Sequence, residues 1–195
     1  MIPVAKSLID SPYATWLVLF LPAPNLILAL VEDDRYYAEI MYESGILSTQ
    51  LMVLALAITP LLRLCRNWPA GLSIMRWLQR RRRYIGVAAF GYALLHTLFY
   101  IREIGDAELI LLELAEFSLA TGWLAFAVIL MLAVTSNDWS VRKLGRNWKR
   151  LQMIVYAAMA LTFLHWWLIG QFLDQLLYWA VPILLLQLHR IVRMN

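Results

Sequence analysis

Six runs of about 20 apolar residues take up most of this chain, near 12–31, 45–64, 84–102, 118–135, 153–170 and 173–192, and each fits a hydrocarbon core roughly 30 Å thick as a helix. Of the 195 residues, 62% are hydrophobic and only 15% charged, a balance foreign to soluble domains. The expectation is an all-α integral membrane protein: one bundle of six transmembrane helices spanning residues 1–195. The first run is too long for a secretion signal, has only Lys6 before it, and is followed by the acidic VEDDR where a small-residue cleavage site would stand, so it reads as a retained anchor. Pro22 and Pro24 predict a kink or break within it. A single cysteine, Cys65, excludes an intrachain disulfide and a cysteine-held cluster.

Charge orients the spans. Of the 17 lysines and arginines, all but Arg35 and Arg102 fall on one side of the alternating topology, in the loops around 63–83 and 136–150 and at both chain ends. That side is expected to be cytoplasmic, with both termini there. Every acid except Asp10 and Asp138 lies with the opposite loops or their flanks. The net charge of +4 therefore reflects topology, and nucleic acid is excluded as a partner. The run Arg80 to Arg83 suits anionic headgroups of the membrane lipid. DAELILLELAEF, 106–117, alternates acids with apolar residues at helical spacing and predicts a short helix on the outer surface. No internal repeat is visible. The eight glycines never form the GxGxxG turn of a dinucleotide-binding module.

Two of the three histidines interrupt apolar runs, His96 in GYALLHTLFY and His165 in LTFLHWWLIG. An ionisable side chain at membrane depth is costly and marks a candidate site, although a neutral imidazole bonded to a neighbouring helix serves structure alone. Each lies 12 residues from the inner start of its span, counting from Tyr84 and Met153, which puts both rings about 18 Å up their helices. Level imidazoles on neighbouring helices can take the two axial positions of a heme iron. Gly86, Ala88, Ala89, Gly91 and Ala93, with Ala157, Ala158 and Ala160, leave room for a macrocycle or serve helix packing. Trp166 and Trp167 fit a cofactor wall or an interfacial belt equally well. His189, beside Arg190 at a helix end, reads as interfacial. A zinc or di-iron centre lacks further ligands at that depth, and a proton relay lacks an intramembrane carboxylate.

The segments ITPLLRL, RRRRYIGVAAFGYALLHTLFY, LAVTSNDWSVRKLGRNWKRLQ and VYAAMALTFLHWW, in that order over 58–167, resemble the ferric reductase-like transmembrane domain family. Within it they resemble the branch of heme-binding membrane subunits serving periplasmic protein-methionine-sulfoxide reductases. The resemblance implies a single domain of that family over 1–195 in the bacterial inner membrane. It also implies b-type heme with axial ligands at His96 and His165. Electrons would come from the quinone pool or a cytoplasmic flavin reductase, with quinone or FMN as further cofactors, and would pass to a molybdenum-containing periplasmic partner. Where the family often has a histidine in a KRLH-type sequence, this chain has Gln152. An amide is a poor heme ligand, and Arg82 suits a heme propionate or lipid phosphate, so one heme is expected. A heme-free structural or assembly subunit and a direct quinol or ferric reductase are the competing readings.

The topology carries its own test. A cysteine placed at Lys143 in a Cys65-free background is expected to resist impermeant thiol reagents applied to intact cells. Labelling there would reverse the orientation.

Overall fold

The computed structural model describes residues 11–32 and 37–192, and among them every regular element is helical. The first predicted span is divided into α1 (Pro12–Phe20) and α2 (Ala23–Glu32). Pro22 lacks the N–H that the Val18 carbonyl would accept in a continuous helix, and the Leu21 N–H turns back to Val18 instead, at 3.4 Å. Pro24 likewise removes the helical partner of the Phe20 carbonyl. The expected break is present, and it leaves pieces of 9 and 10 residues, each too short to cross a membrane by itself.

Five further stretches are long and apolar enough to cross: Tyr37–Asn67, Pro69–Ile104, Phe117–Val134, Arg146–Ile169 and Leu173–Val192. They contain α3 (Tyr37–Leu64), α4 (Pro69–Ile104), α6 (Phe117–Val134), α8 (Arg146–Gln152) with α9 (Val155–Ile169), and α10 (Leu173–Val192). Two short helices, α5 (Ala107–Glu113) and α7 (Asp138–Leu144), complete the series. The expectations about both chain ends and the acidic turn at 33–36 lie outside the described residues.

Two stretches expected as loops are helical. α4 starts at Pro69, well before the expected span, because proline is suited to the first helical position and no glycine or proline interrupts Leu72 to Arg83. With 36 residues it is about 54 Å long, so one rod carries both the Arg80 to Arg83 run and His96. In 136–150, Asn137 caps α7 through the Ser140 N–H at 2.8 Å, and Gly145, at φ 50°, separates α7 from α8. Arg83 donates to Asp138 at the start of α7, and that bond holds the Asp138 carboxyl below the usual carboxylate range. The 106–117 segment forms α5 as expected, with Asp106 accepting from the Glu108 and Leu109 N–H groups.

Lipid tails are as apolar as leucine, so these helices are held by close packing and hydrogen bonds rather than by escape from water. The core joins Met52, Val53, Leu56 and Ala57 of α3 to Ala89 of α4, Ile129 of α6, Ala158 and Met159 of α9, and Ile183 of α10. Ala88, Ala89 and Ala158 are fully buried, and the Ser48 hydroxyl reaches across to the Ala89 carbonyl at 2.9 Å. α1 docks on α4 through two polar contacts: buried Arg81 donates to the Thr15 hydroxyl, and Tyr92 to the Leu19 carbonyl beside the proline break. Outward faces stay apolar, as Leu177, Leu184, Leu188 and Ile191 of α10 show.

Pro60, inside α3, deprives the Leu56 carbonyl of its helical donor, and the Gln187 amide of α10 supplies one at 3.1 Å. Gln187→Leu is expected to strand that acceptor and cost about 1–3 kcal/mol. Pro60→Ala restores the backbone N–H, so the double variant should lose less than the single, as read by thermal unfolding in detergent. Additive losses would show that the two residues act independently.

Candidate functional site

A cavity of about 260 Å³ lies between α3, α4, α6 and α9, and both His96 and His165 line it. Each ring reaches it from a different helix pair. His96 projects from α4 and places Nδ1 2.8 Å from the Met41 carbonyl of α3; His165 projects from α9 and places Nδ1 2.8 Å from the Ser118 carbonyl of α6. A carbonyl oxygen only accepts, so in both rings Nδ1 carries a proton, and Nε2 is the nitrogen left to face the cavity. Neither Nε2 has a hydrogen-bond partner among the described residues. A backbone carbonyl on Nδ1–H is the usual way a metal-binding histidine is oriented.

The rest of the lining leaves little else with donor strength. Thr49, Thr97 and Thr162 bond back to carbonyls of their own helices, and Ser48 bonds to Ala89. Tyr100 bonds Glu113 of α5 at 2.5 Å, and Tyr42 bonds Gln175 of α10 at 3.0 Å, at the rim away from Arg80 to Arg83. Trp123, Phe126 and Trp166 supply flat apolar walls. The two tryptophans divide in role: Trp166 is buried and donates to the Gln171 carbonyl, whereas Trp167 is 63% exposed and faces outward.

Two glycines make the rings fit. A Cβ on Gly45 of α3 would stand 3.0 Å from His96 Nδ1, and one on Gly122 of α6 would stand 2.8 Å from His165 Nδ1 and Cε1. The sequence reading passed over both. The small residues it selected do other work: Gly91 makes room for Phe20, Ala88, Ala89 and Ala158 pack helices, and only Ala93 among them lines the cavity. The signal that marks the useful glycines is a hydroxyl residue directly before each, in ESG and ATG.

Among the described residues, no three His, Cys, Asp or Glu side chains converge as a metal centre requires. Two imidazole lone pairs over an apolar, aromatic-walled space suit a different group. A heme brings four equatorial ligands of its own and asks the protein for axial donors. The donor set, its tautomers and the glycine clearances fit that group.

Other sequence-selected residues lie elsewhere. Arg82 does not line the cavity and donates to the Thr59 hydroxyl at 3.3 Å. His189 is exposed at the end of α10. Gln152 serves the end of α6, where the last carbonyls need donors from outside the helix. Its amide reaches the Leu132 carbonyl and Thr135 hydroxyl at 3.3 Å, while Thr135, Ser136 and Asn137 serve Met131, Leu132 and Val134.

Comparison with known proteins identifies the family of the chain. Residues 44–163 match the family described as ferric reductase like transmembrane component. The chain is 33% identical over 170 residues to the protein-methionine-sulfoxide reductase heme-binding subunit MsrQ of Ralstonia nicotianae, covering 83% of this chain and 74% of that protein. It is 34% identical over 124 residues to the subunit of the same name from Brucella ovis, covering 62% of this chain and 52% of that one. No solved structure matches. The matched segment holds both histidines' helices down to Phe163, and the Ralstonia relative extends the likeness over most of the chain: this multi-pass helical membrane protein belongs to the ferric reductase-like transmembrane family.

Proposed function

We propose that this protein is the membrane electron-transfer subunit of a reductase system, holding one b-type heme between His96 and His165. The observation that carries the reading is the pair of imidazoles, each with Nδ1–H tied to a helix carbonyl and Nε2 unpaired toward one cavity. The names of the relatives, heme-binding subunits of protein-methionine-sulfoxide reductase, support it. Heme bound there supplies a one-electron iron couple. The chain's own part would be to hold that group through the two imidazoles, with Trp123, Phe126 and Trp166 walling the space beside them.

The finer assignments follow from charge and from Gln152. The arginine-rich end faces the cytoplasm and α5 faces the periplasm, with the broken α1–α2 segment as a sixth span in the inner membrane. The acceptor is a periplasmic methionine-sulfoxide-reducing subunit carrying molybdenum. The donor is the quinone pool or a flavin reductase working near Arg80 to Arg83, with quinone or FMN bridging the gap. Arg82, outside the cavity lining, binds an anionic group at that end, a heme propionate or a lipid phosphate. With Gln152 engaged on α6 and His189 exposed, the inner end of the bundle offers no second pair of imidazoles.

The absorption spectrum of the purified protein, oxidised and then reduced, tests the reading. A low-spin b-type spectrum is expected, and His96→Ala or His165→Ala should abolish or severely alter it while His189→Ala leaves it intact. An unchanged spectrum in both of the first two variants would sink the assignment and favour a structural subunit whose histidines only bridge helices. Heme measured against protein should give a ratio near one. A ratio near two, with a component surviving His96→Ala, would establish a second site.

A further inference from the structure

The two histidine seats share one design. On α3 the Met41 carbonyl accepts from His96 Nδ1 and also from the Ser44 hydroxyl, both at 2.8 Å, and Gly45 follows directly. On α6 the Ser118 carbonyl accepts from His165 Nδ1 at 2.8 Å and from the Thr121 hydroxyl at 2.6 Å, and Gly122 follows directly. Carbonyl, hydroxyl three residues on, glycine four residues on: the order is the same twice, and the ring comes each time from the helix packed most heavily on that one. Ser44 is 0% exposed and Thr121 2%, so neither hydroxyl has water to turn to.

A helix carbonyl already accepts the N–H four residues later, which here belongs to the glycine. The imidazole and the hydroxyl therefore draw on the same remaining electron density. A carbonyl that also serves a hydroxyl is a weaker acceptor for Nδ1–H, and a less strongly bonded Nδ1–H leaves the imidazole a weaker donor at Nε2.

We propose that Ser44 and Thr121 are positioning residues that set the donor strength of His96 and His165, while Gly45 and Gly122 set how close each ring lies to its helix. This rests on the heme reading above. Each half of the site is then tuned by a residue that never touches the cofactor, and the two axial ligands can be adjusted independently.

Ser44→Ala and Thr121→Val in the full-length protein test it. With the heme bound, each should keep the low-spin spectrum and shift the midpoint potential to more negative values, because a stronger donor favours the oxidised iron. In 15N-histidine-labelled full-length protein prepared without heme, each should move the Nδ1–H proton downfield at its own ring only. Gly122→Ala should lose most of the bound heme and Gly45→Ala less, following the 2.8 and 3.0 Å clearances, whereas Gly86→Ala, with nothing within 4 Å, should match the parent. Hydroxyl variants that leave both potential and proton shift unmoved would overturn the proposal, as would a Gly122→Ala variant indistinguishable from Gly86→Ala. A parent protein that binds no heme would overturn the underlying reading alone, since the proton shifts still decide whether the hydroxyls govern the rings.

Discussion

Every carbonyl in a membrane helix has a second lone pair and no water to offer it. The organisation of this protein follows from how neighbouring side chains use those lone pairs. Gln187 answers the carbonyl orphaned by Pro60, Tyr92 bonds the carbonyl beside the Pro22 break, and Ser48 ties α3 to α4. His96 and His165 belong to the same set of bonds. In hydrocarbon such contacts contribute only about 0.6 to 2 kcal/mol each, yet they are directional where dispersion is not. Packing brings the helices together, and these bonds fix their rotation and register.

For the histidines that direction has a chemical result. An imidazole facing lipid with two unsatisfied nitrogens would be unfavourable, and a charged one more so. Giving Nδ1–H to a carbonyl removes half of that cost and at the same time determines which nitrogen points into the cavity. Structural economy and ligand geometry are therefore achieved by one contact. The rim uses the same logic on a polar boundary, where Tyr100 and Tyr42 present aromatic faces inward and hydroxyls toward Glu113 and Gln175.

The sequence made the apolar spans, the proline break and the two histidines within apolar runs legible, because length, hydropathy and an ionisable residue out of place are all local signals. Convergence of His96 and His165 was anticipated from equal counts to Tyr84 and Met153, but those are not the starts of the helical stretches, which begin at Pro69 and Arg146; packing of four helices around one cavity brings the rings together. The extent of α4 was not, since Arg80 to Arg83 looks like a loop when hydropathy alone sets the boundary, although arginine is a good helix former. Gly45 and Gly122 were missed because their role depends on which helix packs against them. The duplication of the seats escaped notice because it resides in three residues per copy, far too few to register as a repeat. Gln152 was recognised for what it fails to do as a ligand, but its service to the end of α6 required the neighbouring carbonyls to be seen.

Because His96 is satisfied by α3 and His165 by α6, each helix pair aims its own ring without a bond from the other. Neither half needs the cofactor in order to settle its rings. The site is thus two separately oriented halves, and a change in how the two pairs cross would alter the span between the rings while leaving each ring's own hydrogen bond in place.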